Sequence, residues 1–190
     1  MYLTLSGGAA FGIEERGSSY APGPALGLTW TSESRISGSI YSLIGLGLEH
    51  TSNRQNQYEF FESSVQQTSL TVPLLVRLNA GNSNRVYFDI GVMPSYIFKC
   101  NLYETGFNDT QFESDVSSDI SPVRLAFLLG STYSFGVFNI GWQLSYKLID
   151  GNTGELARKW EGAGSASTFV ENSGNSHGAI LSITTGFRIK

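Results

Sequence analysis

Charge is scarce in this chain. Of its 190 residues only 15% are Asp, Glu, Lys or Arg, where an ordinary soluble domain carries about 25%. The hydrophobic share, 41%, is not raised to match. Cysteine is almost absent: Cys100 stands alone, so no intramolecular disulfide can staple the fold. Long apolar runs are missing too. Gly, Ser or Thr interrupts every candidate, and no stretch of about 18 apolar residues can form a membrane-crossing helix. The net charge of −4 argues against a nucleic-acid partner. Phosphate-loop, zinc and haem motifs are lacking, and no cofactor is expected. Met1-Tyr2-Leu3-Thr4 opens directly in an alternating pattern, without a basic and apolar leader. The expectation is an exported chain whose signal peptide has been removed.

What the chain does have is alternation of period two. Over 85–99 the even positions are Val86, Phe88, Ile90, Val92, Pro94, Tyr96 and Phe98. Over 137–148 they are Phe138, Ile140, Trp142, Leu144, Tyr146 and Leu148. The segments 66–79 and 178–190 alternate as clearly, and 2–13, 24–32, 36–49 and 122–135 complete a set of eight. Most exceed the soluble average of about 5–6 residues and reach the roughly 9–11 that a tilted membrane-spanning strand needs. The connections fall at 14–23, 33–35, 50–65, 80–84, 100–121, 135–137 and 149–177. They run long and short in turn, so a meander gathers the long loops at one end and the tight turns at the other. Bacterial outer-membrane barrels have this asymmetry. The expectation is a single domain over 1–190, an all-β, eight-stranded antiparallel up-and-down transmembrane β-barrel. Both termini are then periplasmic and the long loops extracellular.

The polar face is rich in Gly, Ser and Thr but too poor in charge to be a water-facing exterior, so the apolar face is assigned to lipid. Trp30, Phe88, Tyr133, Phe135, Phe138 and Phe187 fall near the turn end, and Phe11, Tyr96, Phe98 and Tyr146 near the loop end, as two interfacial girdles would. Pro73 and Pro94 inside strands remove ladder donors and require bulges there. The lumen is then expected to hold two charged clusters: Glu49, Lys99, Arg124 and Lys147 near the loops, and Arg77, Asp89 and Arg188 near the turns. Such charges could line a polar or proton path. Eight strands leave room for side chains and little else, so they are read as a structural plug, with Tyr41 and Tyr87 filling beside them.

The long loops are acidic. Segments 14–23, 50–64, 100–121 and 149–177 sum to −9 and the remainder to +5, which together give the net −4. Segment 100–121 holds five carboxylates but lacks the ligand spacing of an EF-hand, so no metal site is assigned. The same loops carry Tyr58, Phe60, Phe61, Tyr103, Phe107, Phe112, Trp160 and Phe169. Loop aromatics in this number either cap the barrel or contact a partner. Outer-membrane lipid and lipopolysaccharide are expected neighbours, and a protein partner is expected through the loops. The rival is a lipid-modifying hydrolase or acyltransferase built on His50 or His177 with Ser52, Ser176 and Glu49, though no motif fixes a triad. A soluble lipocalin-like barrel ranks third.

The stretch Ser69-Leu70-Thr71-Val72-Pro73-Leu74-Leu75-Val76-Arg77 resembles the hallmark strand of the PorT-like outer-membrane barrels of the Bacteroidetes. The following Tyr87-Phe88-Asp89-Ile90-Gly91-Val92-Met93-Pro94-Ser95-Tyr96 is similar to the next strand of that family. The resemblance implies an eight-stranded barrel and makes Pro73 a family feature. It carries over no catalytic residue, and one branch of the family is linked to protein secretion. The ending Phe187-Arg188-Ile189-Lys190 departs from the terminal aromatic common in outer-membrane barrels.

Overall fold

A computed structural model describes residues 1–13, 20–58, 61–80, 85–105, 111–115, 117, 122–149, 156–158, 169–171 and 177–189. Its strands are β1 Tyr2–Ile13, β2 Tyr20–Ala21, β3 Gly23–Ser37, β4 Ile40–Tyr58, β5 Phe61–Thr71, β6 Leu74–Asn79 and β7 Val86–Thr105, followed by β8 Gln111–Asp115, β9 Val123–Phe135, β10 Phe138–Ile149, β11 Leu156–Arg158, β12 Phe169–Glu171 and β13 His177–Arg188. Each long strand pairs antiparallel with its neighbours, and β1 pairs with both β3 and β13, which closes the ring. β5 and β6 form one wall strand, as do β8 and β9, so the barrel has eight. Among the described residues β11 and β12 pair only with each other.

Alternation decides which way each side chain points. On β9, Arg124, Ala126, Leu128 and Gly130 are buried inside while Val123, Phe127 and Leu129 stand outside. On β4, Ile40, Ile44, Leu46 and Leu48 are exposed, with Leu43 and Gly47 turned inward. The outer surface is therefore apolar around the ring, the reverse of a water-soluble barrel. At the turn end Tyr133, Phe135, Phe138 and Phe187 touch in series. Centroid separations are 6.2, 5.9 and 5.0 Å, the last pair edge-to-face. Trp30 and Phe88 are exposed on the same surface, and Phe11, Tyr96, Phe98 and Tyr146 stand exposed toward the loop end.

The tight turns rest on glycine. Gly38 and Gly136 have φ of 46° and 67°, the sign a two-residue hairpin turn demands at its first central position. The first of these turns corrects the expected turn at 33–35. β3 continues through Ser34 and Arg35 to Ser37, and the chain reverses at Gly38–Ser39. The polar run Ser-Glu-Ser-Arg reads as a loop, but its odd positions stay in phase with the lumen. The expected loops at 50–65 and 100–121 also shorten. β4 runs for 19 residues and pairs with β5 as far as Tyr58↔Phe61. β7 runs for 20 and pairs with β8 above the point where β9 begins.

The prolines are accommodated by a break. The ladder lapses at Val72–Pro73 between β5 and β6. There the Val72 N–H donates to the Pro94 carbonyl at 2.9 Å, and the Gly45 N–H donates to the Pro73 carbonyl at 3.0 Å. Gly45 also leaves room for the ring, since a Cβ on it would lie 2.9 Å from Pro73 Cγ. The proline carbonyls thus remain bonded where a lipid-facing wall cannot leave them bare.

The outward face predicts its own test. Ile44→Arg places a guanidinium in the middle of the β4 apolar belt and should cost about 2–4 kcal/mol. The measurement is reversible urea unfolding in liposomes. A change indistinguishable from wild type would show that this face does not meet hydrocarbon.

Candidate functional site

At the turn end of the lumen, β6 and β7 bring Arg77 and Asp89 together as directly opposed partners. Arg77 Nε donates to Asp89 Oδ1 at 2.7 Å and Nη2 to Oδ2 at 2.8 Å, a two-pronged pairing. Arg77 Nη1 also donates to Glu33 Oε2 at 3.1 Å, and the Thr132 hydroxyl donates to Asp89 Oδ2 at 3.2 Å. The guanidinium carbon lies 5.4 Å from the Tyr2 ring centroid and 5.1 Å from that of Tyr87. The Arg188 guanidinium carbon lies 5.9 Å from the same Tyr2 centroid, with its own side chain exposed at the barrel end. Two arginines and two carboxylates make the group neutral. Glu33 and Tyr2 are members that the sequence reading missed. The misplaced turn hid Glu33, although its odd position continues the lumen phase of Thr29 and Thr31.

Near the loop end the lumen holds Glu49 with Arg124 and Lys147 facing it. Arg124 and Lys147 are buried. Arg124 Nη2 donates to the Gln67 amide oxygen, joining β9 to β5. The Lys147 stem lies against Gly178, where a Cβ would come within 3.0 Å of its Cδ. Lys99, expected in this cluster, is not there. The β5–β7 register shifts between Thr68↔Lys99 and Ser69↔Ile97. This bulge leaves Ile97 and Cys100 inside and puts Phe98 and Lys99 both outside. Between the two clusters the described lumen retains a cavity of about 80 Å3, room for a few waters at roughly 30 Å3 each.

The hydrolase constellation is split by the wall. His50 and Glu49 are consecutive on β4, so His50 points outward while Glu49 points in. His50 Nδ1 lies 3.1 Å from the Thr68 hydroxyl. Ser52 follows on the outward side. The His177 backbone pairs with Ile13; its side chain and Ser176 lie outside the described residues.

Above the apolar surface, β2, β4, β5, β7 and β8 continue as a sheet. Tyr103 and Asn101 both donate to Glu113 Oε1, at 2.8 and 2.6 Å, tying β7 to β8. Where β8 gives way to β9, Ser117 substitutes for a strand. The Cys100 N–H donates to Ser117 Oγ at 2.8 Å. The Ser117 hydroxyl and N–H donate to Asp115 Oδ1 at 2.6 and 2.9 Å. These two bonds hold the exposed Asp115 carboxyl below its ordinary range. Of the other loop aromatics, Tyr58 and Phe61 are backbone partners at the tip of β4–β5. Phe112 pairs with Glu104 and Phe169 with Arg158. The side chains of these four lie outside the described residues, as do Phe60, Phe107 and Trp160 altogether.

The fold defines a class, a closed eight-stranded outer-membrane-type β-barrel. The chain belongs to the outer membrane protein beta-barrel domain family, whose model matches residues 26–149. The matched span runs from within β3 to the end of β10, and β1 and β13 close the ring beside it. Among solved structures the chain is similar to Neisserial surface protein A, with a TM-score of 0.55 and 12% identity over 99% of this chain and 96% of that one. It also matches Ail, the attachment invasion locus protein of Yersinia pestis, with a TM-score of 0.47 and 13% identity over 99% and 98%. A third match is the outer membrane enzyme PagL, with a TM-score of 0.46 and 11% identity over the whole of both chains. No curated protein sequence matches at a significant level.

Two outcomes follow. Arg77→Met removes the one cation that serves both Asp89 and Glu33 and should cost about 3–5 kcal/mol. Glu33→Gln, which leaves the Asp89 pairing whole, should cost clearly less. Urea midpoints of the refolded barrel measure both, and equal losses would dissolve the cluster as a unit. Ser117→Ala should raise the Asp115 carboxyl toward its ordinary value. The Asp115 value is depressed when folded, so its contribution is full above the ordinary carboxylate range and is lost as pH falls through the lower folded value. Carbon-detected NMR titration of Asp115 reads the shift, and an unmoved midpoint would remove the serine as its cause.

Proposed function

We propose that this chain is a non-enzymatic surface protein of the bacterial outer membrane. In this reading both termini lie on the periplasmic side, and a partner protein engages the loop end. Long connections and extended strands at one end, with two two-residue turns and the short 80–85 connection at the other, support that orientation. The observation that carries the partner reading is the sheet β2–β4–β5–β7–β8 rising past the outer apolar surface. Among the described pairings β8 bonds only to β7. A strand edge of this kind offers backbone groups to another chain. The acidic character of 100–121 and the clustering of aromatics in the loops add charge and anchoring rings to it. The PorT-like resemblance over 69–98 agrees with an accessory role. The separation of His50 from Glu49 by the barrel wall, and the small lumen cavity, favour this reading over a lipid-modifying enzyme or a conducting pore.

The test uses a photo-crosslinking residue in place of Tyr103 in the full chain in native membranes. The expected outcome is one discrete stoichiometric adduct, lost when 106–110 are shortened while heat-modifiable gel migration is retained. A folded barrel giving no adduct from Tyr103 or from Glu113 would overturn the proposal.

A further inference from the structure

The outer wall carries a polar interruption at the upper rim of its apolar belt. Register places Ile183, Gly7, Leu26, His50, Thr68 and Lys99 in one row across six strands. Strands in such barrels tilt by roughly 35–45°, so a row perpendicular to them climbs the wall. Ile183 starts it near the turn-end aromatic Phe187, and Lys99 ends it beyond the loop-end aromatics Tyr96 and Phe98. The next row down, Leu48, Leu70 and Tyr96, is apolar or aromatic and exposed. His50, Thr68 and Lys99 are therefore the first polar groups above hydrocarbon on β4, β5 and β7.

Below them lies an open groove of about 650 Å3, with His50 and Thr68 at its head. Its apolar walls are Leu5, Leu26, Leu28, Leu48 and Ile183. Gly7 makes the depression: a Cβ there would meet only Leu26 Cδ2, at 3.8 Å. An acyl chain fits such a trough, and a phosphate fits its head. Lys99 supplies positive charge, and the paired His50 and Thr68 supply one donor: the Thr68 hydroxyl when His50 Nδ1–H donates to it, or His50 Nε2–H when the hydroxyl donates to Nδ1. Among the described residues the acidic groups nearby have partners of their own. Asp115, whose carboxyl feels the Lys99 charge, accepts from Ser117. Glu113 accepts from Asn101 and Tyr103, and Glu49 lies across the wall.

We infer that the row His50–Thr68–Lys99 and the Gly7 groove beneath it form a binding site for a phosphorylated lipid of the outer leaflet, phosphate at the rim and one acyl chain in the groove. The inference rests on the orientation proposed above only for which leaflet supplies the lipid. Binding itself is read in nanodiscs, where orientation is immaterial.

The experiment compares lipid A, dephosphorylated lipid A and inorganic phosphate as probes, by native mass spectrometry of the full chain released from nanodiscs. Wild type should retain lipid A and discriminate against the dephosphorylated form by about tenfold or more, the scale of one charge-assisted contact. Lys99→Gln with His50→Leu should abolish that discrimination. Gly7→Leu, which faces outward with space for its side chain, should weaken both lipids alike. Heat-modifiable migration confirms folding for each variant. Equal retention of the two lipids by wild type, or unchanged discrimination in the double variant, would overturn the site. Millimolar inorganic phosphate displacing the lipid would reassign it to a free anion and overturn the lipid assignment. Absence of a Tyr103 adduct, by contrast, would bear on the partner reading alone.

Discussion

The structure depends on one constraint: a backbone amide or carbonyl facing hydrocarbon must be bonded within the protein. Each unsatisfied group costs several kcal/mol there. A sheet meets the constraint only by closing, and here closure is the β1–β13 ladder, continuous from Tyr2↔Arg188 to Ile13↔His177. Once the ring is closed, the pleat sorts every side chain to one of two sides. Apolar side chains then have hydrocarbon as their favourable surroundings, and polar ones are forced into a lumen barely wider than themselves. The scarcity of charge is a consequence. The outer wall of the barrel faces a solvent that charge cannot enter cheaply.

Where the ladder cannot run, the protein supplies other partners rather than leaving a gap. Pro73 and Pro94 lack donors, yet their carbonyls accept from Gly45 and Val72. At the β8–β9 junction the Ser117 side chain accepts from the Cys100 amide, and Asp115 in turn orients Ser117. The Ile97 amide reaches past the break to the Pro122 carbonyl at 2.7 Å. These irregularities cluster on β5–β7–β9. That is also where the wall changes from a membrane strand to the sheet standing above it.

Much of the fold was legible because period two is a global signal. Each long strand repeats the same in–out choice many times, so one ambiguous residue cannot reverse it. What was not legible was local. Glu33-Ser34-Arg35 has the composition of a turn, and composition outweighed phase; the cost was Glu33, a direct partner of Arg77. The bulge at 97–99 adds one residue and inverts the parity beyond it, so Lys99 was placed on the wrong face. No composition marks a bulge inside an alternating run. The Arg77–Asp89 pairing was legible because both lie close to a short connection that fixes their register.

The displaced lysine has an electrostatic logic. With Lys99 inside, the loop-end lumen would set three cations against Glu49 in a space of low dielectric, where like charges repel strongly. Moving it outward leaves Arg124 and Lys147 facing Glu49, with Gln67 as a neutral acceptor for the arginine. Outside, the Lys99 charge is felt by the Asp115 carboxyl, and the rim of an apolar belt is also the depth at which lipid headgroups carry anionic charge. The turn-end cluster is neutral within itself and needs no such neighbour. The bulge that breaks the sequence pattern thus does two things at once. It relieves an interior that cannot hold a further positive charge, and it presents that charge beside His50 and Thr68, where an anionic headgroup can meet it.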